Sequence, residues 1–207
     1  GVAGAFLDSS PMIILSGQIS SPIYRYQKES RIRQKGTQSL MLENMTADIT
    51  KYFAVILDEK DVRYHLERGY YEATHGRKGP VWLDVPIDIQ NKKVPEVLEG
   101  FSVPEEKVPQ TPIPEKEIAE LLKNARKPLI LAGYGVLSSH TKEDLRKFAE
   151  KYEIPVVTSR GGIGAMASDH PLFMGRRGSY GDPASHFAIA DCDLLFILGS
   201  RLAMSTV

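Results

Sequence analysis

The stretch Lys127-Pro-Leu-Ile-Leu-Ala-Gly-Tyr-Gly135 decides the fold. Pro128 to Ala132 form an apolar run of strand length, closed by two glycines, which reads as a buried strand. A strand without polar alternation is covered on both faces, as in parallel sheets. Before it, Pro114 stands where helices start, and Ile118, Leu121, Leu122 and Ala125 make one apolar face. After it, Thr141 and Asp144 match a capping box, with Leu145, Phe148, Ala149 and Tyr152 toward the core. Ile154-Pro-Val-Val-Thr158 reads as a second strand, followed by Gly161, Gly162 and Gly164. Asp182-Pro183 opens a helix carrying Phe187 and Ala190, and Leu194-Leu-Phe-Ile-Leu198 is a third strand ending at Gly199. Strands alternating with helices predict an α/β unit with a parallel sheet.

The N-terminal part repeats this alternation. Val2 and Phe6 fit the last turn of a helix, and Pro11-Met-Ile-Ile-Leu-Ser16 is a strand candidate ended by Gly17. Residues 22–36 are polar and basic, with Arg25, Lys28, Arg31, Arg33 and Lys35 against Glu29, and read as a solvated loop or a site for an acidic group. Tyr52-Phe-Ala-Val-Ile-Leu57 is a second apolar stretch. Asp58 or Asp61 caps the helix that follows, Val62, Leu66, Tyr70 and Ala73 form its apolar face, and Gly76 stops it. Val81-Trp-Leu-Asp-Val85 is a β-rich run terminated by Pro86. Pro95, Pro104, Pro109, Pro112 and Pro114 mark an extended linker. The expected organisation is therefore two doubly wound parallel-sheet units, residues 1–94 and 115–207, joined by residues 95–114.

Composition narrows the function. Of the 207 residues, 26 are Lys or Arg and 26 are Asp or Glu, so the formal net charge is zero. A main partner made of nucleic acid would call for a basic excess. Cys192 is the single cysteine, which excludes an internal disulfide framework and a cysteine-based zinc cluster, and it reads as a small core residue. No apolar run approaches the ~18 residues of a membrane span. Neither a signal peptide nor an initiating Met is visible, and the chain opens inside an element. It is therefore expected to be a piece of something longer, with a cytoplasmic location.

In doubly wound sheets, ligands sit at the carboxyl ends of strands. The loops that qualify are Gly133-Tyr-Gly135, Ser159-Arg-Gly-Gly-Ile-Gly164 and Gly199-Ser-Arg-Leu202, with a fourth glycine-rich segment at Gly175-Arg-Arg-Gly-Ser-Tyr-Gly181. Glycines let backbone approach a phosphate, and Arg176, Arg177 and Arg201 can add charge-assisted bonds. The same glycines also suit plain strand-to-helix turns, and the dinucleotide fingerprint is missing. His65, His75, His140, His170 and His186 are scattered, with no pair at metal-binding spacing.

A longer series of motifs carries more. Asp8-Ser-Ser-Pro-Met-Ile-Ile-Leu-Ser-Gly-Gln18, then Gln38, Ile49-Thr-Lys51, Ala73-Thr-His-Gly-Arg-Lys-Gly-Pro-Val-Trp-Leu-Asp-Val-Pro-Ile-Asp-Ile-Gln90, Lys127 to Gly135, Ile154 to Ser159 and Gly199-Ser-Arg-Leu202 follow in order. This series resembles the thiamine-diphosphate enzymes of the acetolactate synthase type. The resemblance implies that residues 1–94 are the second half of a pyrimidine-binding domain and residues 115–207 most of a central domain. It implies an enzyme that makes or breaks C–C bonds next to the carbonyl of a 2-keto acid, with thiamine diphosphate and Mg²⁺, as a homodimer or homotetramer. A non-catalytic nucleotide-binding or oligomerisation domain is the alternative.

The family's catalytic glutamate would lie upstream of Gly1 and its Gly-Asp-Gly…Asn-Asn metal motif downstream of Val207, so the 207 residues alone are expected to be inactive and to self-associate. By the same resemblance Gln38, Gly133, Gly135, Gly175, Gly178, Gly199 and Arg201 are cofactor-binding positions. FAD belongs to the synthases of this type. Here Leu202-Ala-Met-Ser replaces the Phe-Asp-Asp-Arg near the flavin, which argues against FAD. The longer basic loop between Gln18 and Gln38 suggests an anionic or nucleotide-linked substrate.

Overall fold

A computed structural model describes residues 1–105 and 112–202. The chain divides into two units, Gly1–Val108 and Pro109–Val207.

The first unit runs α1 (Val2–Leu7), β1 (Met12–Gln18), α2 (Ser21–Ser30), α3 (Leu42–Thr46), β2 (Tyr52–Val55), α4 (Val62–Thr74), β3 (Pro80–Pro86) and α5 (Ile87–Gln90). Its sheet has the order β1-β3-β2 and is parallel throughout, with Met12 opposite Pro80 and Tyr52 opposite Val81. Central β3 is the most buried strand. Val81 and Leu83 pack with Ile56, Ala73 and Ile89, and with the partly buried Tyr52, Val62 and Val85.

The apolar face expected for α4 is only half correct. Val62 and Ala73 pack inward, but Leu66 and Tyr70 face solvent. Gly69 of α4 also lies against Val81 and Leu83, and its lack of a side chain brings the helix close. Neither aspartate's side chain caps α4: Asp58 caps the 3-10 turn Glu59–Asp61 before it, accepting from Lys60 N at 3.0 Å, and Asp61 at the N-cap of α4 makes no side-chain cap. Lys51 Nζ donates to the carbonyls of Glu72 and His75 at the C-terminal end of α4.

Residues 22–36 are not simply a loop. Ser21–Ser30 form helix α2, with Pro22 in its first turn and Asp88 of α5 accepting from Ser21 N at 2.7 Å. Its inner side is Ser21, Tyr24 and Gln27, spaced by three residues but mostly polar, so no hydrophobic period announces it. The linker segment is also partly docked. Arg63 donates to Leu98 O, Phe101 N donates to Glu67, and the Phe101 ring packs on Tyr64 and Tyr71.

The second unit runs α6 (Glu115–Asn124), β4 (Pro128–Ala132), α7 (Tyr134–Ser138), α8 (Lys142–Tyr152), β5 (Val156–Thr158), β6 (Phe173–Arg176), α9 (Pro183–Asp191) and β7 (Leu194–Leu198). Among the described residues the sheet has four strands where the sequence offered three, in the order β6-β5-β4-β7, all parallel. β6 escapes a sequence reading because Phe173-Met-Gly-Arg176 is short and contains a glycine. One face of the sheet packs Ile130, Ala132 and Val156 against Leu145, Ala149 and Met166; the other packs Leu129, Leu131 and Val157 against Met174, Ala188, Ile189 and Cys192. Cys192 is thus a packing residue, as expected.

The expected capping box at Thr141 does not form. The Thr141 hydroxyl meets Ser139 Oγ at 2.9 Å and Val136 O at 3.4 Å, which draws it away from α8. Ala125 lies past the end of α6, none of whose residues is fully buried, and Tyr152 and Phe187 are exposed.

Tyr52 Oη lies 2.6 Å from His65 Nδ1, and burial pushes the His65 imidazole below its usual range. The stability it contributes is present above the unfolded value of about 6.5 and is lost as pH falls through the lower folded value. Denaturant unfolding is expected to show a decline below pH ~6 that His65→Gln shallows. An unchanged pH slope in that variant would contradict it.

Candidate functional site

Both sheets are parallel, so their loops and helix starts gather polar groups at the carboxyl ends of the strands. In the first unit the polar centre is Asp84, which is fully buried in central β3. Its Oδ1 accepts from Ser16 Oγ at 2.8 Å and its Oδ2 from Gln18 Nε2 at 2.7 Å, both from β1. Trp82 Nε1 donates to the same Ser16 oxygen at 2.6 Å. Gln18 Nε2 also donates to Leu40 O, and Gln18 Oε1 accepts from Ile19 N. The loop carrying Gln38 is therefore tied to Asp84 through Gln18.

A second tie holds that loop from α2. Gln27 donates to Arg33 O and accepts from Lys35 N and from the buried Ser39 hydroxyl. Gln38 is exposed and has a left-handed backbone (φ +61°), so it projects from a loop fixed on both sides.

In the second unit β5 and β6 lie on one side of β4 and β7 on the other, so the strand order switches between β4 and β7. Gly133, Gly135 and Gly199 come together at that switch point. Gly133 N donates to Leu198 O at 2.8 Å and Gly135 N to Gly199 O at 2.9 Å. A Cβ on Gly133 or Gly135 would collide with the Gly199 backbone, so these glycines are required by the crossing of two turns. Arg201 follows on the same loop and is exposed.

Gly175 and Gly178 lie elsewhere, at β6 and the loop after it. Gly175 faces Asp182, which accepts from Arg176 N at 2.7 Å, while Gly178 borders open space. Sequence reasoning did not single out Asp84 or Thr158 and gave Arg177 only a general role. A charged residue inside the run Val81-Trp-Leu-Asp-Val85 was the available signal for Asp84. At the carboxyl end of β5, Thr158 Oγ1 and Arg177 Nε are both buried without a hydrogen-bond partner among the described residues. Arg177 N donates to Thr158 O, which sets them side by side, and Arg177 Nη1 donates to His186 Nδ1 at 2.7 Å.

Comparison with known proteins follows the same division. Residues 116–207 match the family model "Thiamine pyrophosphate enzyme, central domain". A probable acetolactate synthase large subunit of Methanocaldococcus jannaschii is 32% identical over 98% of this chain and 34% of its own length. The acetolactate synthase large subunit of Lactococcus lactis is 33% identical over 97% of this chain and 34% of its own. Among solved structures, benzoylformate decarboxylase from Polynucleobacter necessarius is similar with a TM-score of 0.74 and 26% identity, over 96% of this chain and 36% of that one. Residues 116–207 thus form a central domain of the thiamine pyrophosphate enzymes. Over nearly its whole length the chain is similar to acetolactate synthase large subunits, and it spans about a third of the length of the curated relatives it matches.

That family implies thiamine diphosphate. The described residues do not fit the Mg²⁺-bound diphosphate end of the coenzyme: among them no three His, Cys, Asp or Glu side chains converge to hold a cation. At the switch point the glycines are filled by each other's backbone, so the crossing of the two turns itself accounts for them. The unpartnered Thr158 and Arg177 atoms fit a polar or anionic group.

Gly135→Ala is expected to lower the stability of the second unit by about 2 kcal/mol or more, read as a shifted denaturant midpoint. An unshifted midpoint would show that the two turns can part freely. Asp84→Ala removes the acceptor of both the Ser16 hydroxyl and Gln18 Nε2 and is expected to cost about 3 kcal/mol, with faster amide exchange at Ile19. A loss below about 1 kcal/mol would remove Asp84 from the centre of this network.

Proposed function

We propose that the chain is part of a thiamine-diphosphate- and Mg²⁺-dependent enzyme acting at the carbonyl of a 2-keto acid, in the manner of an acetolactate synthase. The observation that carries this reading is the relation to acetolactate synthase large subunits over 97–98% of the chain, through both units rather than one. In this reading residues 1–94 belong to the pyrimidine-binding domain, 95–114 to the connection and 115–207 to the central domain, in a cytoplasmic homodimer or homotetramer. Gln38, held out on its doubly tethered loop, faces the coenzyme or substrate. The switch-point loops with Gly133, Gly135, Gly199 and Arg201, and the segment with Gly175 and Gly178, receive a nucleotide-type group, with Thr158 and Arg177 as donors. A flavin is left out, because Leu202-Ala-Met-Ser follows Arg201.

The full-length protein, supplied with thiamine diphosphate, Mg²⁺ and pyruvate, is expected to release CO₂ and form acetolactate. Gln38→Ala is expected to lower kcat/KM by about tenfold or more, the loss of roughly one hydrogen bond. No thiamine-dependent turnover of pyruvate or any other short 2-keto acid would overturn the reading. Turnover by the 207 residues alone would overturn its division of labour, since they lack the Gly-Asp-Gly…Asn-Asn motif.

A further inference from the structure

Helix α2 buries an amide where packing alone would take an apolar side chain. Gln27 is 1% exposed, on the inward side of the helix with Tyr24. Burying a carboxamide is costly unless its polar atoms are met. They are met by the segment that follows the helix. Gln27 Nε2 donates to Arg33 O at 3.0 Å, and Gln27 Oε1 accepts from Lys35 N at 3.0 Å and from the buried Ser39 hydroxyl. A carboxamide offers a donor and an acceptor with two lone pairs on one planar group, which neither a carboxylate nor a hydrocarbon does. A polar network satisfied in this way rigidifies the backbone it touches.

The helix that carries Gln27 is itself anchored. Ser21 N and Ser21 Oγ donate to Asp88 of α5 at 2.7 and 2.6 Å. Gln38 lies between the gripped Lys35 and the gripped Ser39, and Leu40 O beyond it is held by Gln18 at 2.9 Å. Its left-handed backbone is unfavourable for a residue with a Cβ and persists where surrounding structure imposes it. Gln38 is exposed, so the imposition comes through its neighbours in the chain. The bonds of Gln27 to both sides of Gln38 supply it.

We propose that Gln27 is a positioning residue for turnover: through Lys35 N and the Ser39 hydroxyl it fixes the direction in which Gln38 projects. This role rests on the reading that Gln38 faces the coenzyme or substrate. It differs from a packing role in one respect: its effect on turnover passes through the Gln38 side chain and vanishes when that side chain is removed.

Two readouts on the full-length protein test it. Hydrogen exchange without coenzyme reads the loop: Gln27→Leu is expected to speed exchange of amides 33–39 by about tenfold or more, while Val81 and Leu83 of central β3 keep their rates. Thiamine-dependent turnover of pyruvate reads the role. Gln27→Leu is expected to lower kcat/KM by about five- to tenfold, up to the loss caused by Gln38→Ala, but by less than about twofold when Gln38→Ala is already present. Ser39→Ala removes one bond from the loop side and carries the test if Gln27→Leu fails to fold. It is expected to lose about threefold, the worth of one neutral hydrogen bond, with the same dependence on Gln38. Equal fold-losses with and without the Gln38 side chain, or unchanged exchange at 33–39, would overturn this role and leave the reaction intact. Absence of turnover in the unsubstituted protein would overturn both.

Discussion

Asp84 is a carboxylate with no exposed surface, set in the middle strand of a three-stranded sheet. A charge removed from water must be met by donors, or the fold loses several kcal/mol of the order of its whole stability margin. Ser16 and Gln18 supply those donors from β1, and their positions follow from the register that sets Ser16 opposite Asp84. Gln18 then passes the constraint outward by holding Leu40 O, and Gln27 holds the neighbouring Ser39. The chain between α2 and α3 is thus fixed at its polar end by one buried charge.

The second unit meets the same problem with backbone alone. Parallel strands end in turns that must change direction at once, and β4 and β7 do so against each other. Gly135 and Gly199 touch because neither has a side chain, and the amide of one donates to the carbonyl of the other. Near that end of the sheet, Thr158 Oγ1 and Arg177 Nε are buried without a partner among the described residues. The fold itself accounts for the glycines.

Strands were legible where burial on both faces makes them continuous apolar runs, as in Pro128–Ala132 and Leu194–Leu198. The switch-point glycines were legible as turns for the same reason. α2 was not, because its buried side is Tyr24, Gln27 and Ser21, and polar residues leave no hydrophobic period. β6 was not, because a four-residue strand with Gly175 reads as a turn. The partners of Asp84 lie 66 and 68 residues away in the chain, a distance over which no local pattern speaks. Motif order carried the family reading further than periodicity did, and the matches to relatives over both units agree with it.

In the function proposed above, this chain is the part of a larger enzyme that shapes one side of a coenzyme site. Calorimetric titration of the full-length protein with thiamine diphosphate, with and without Mg²⁺, decides whether this holds. Saturable binding that needs the metal is expected, with a Kd at or below about the micromolar range, near −8 kcal/mol. Absence of binding at millimolar coenzyme with Mg²⁺ present would contradict it.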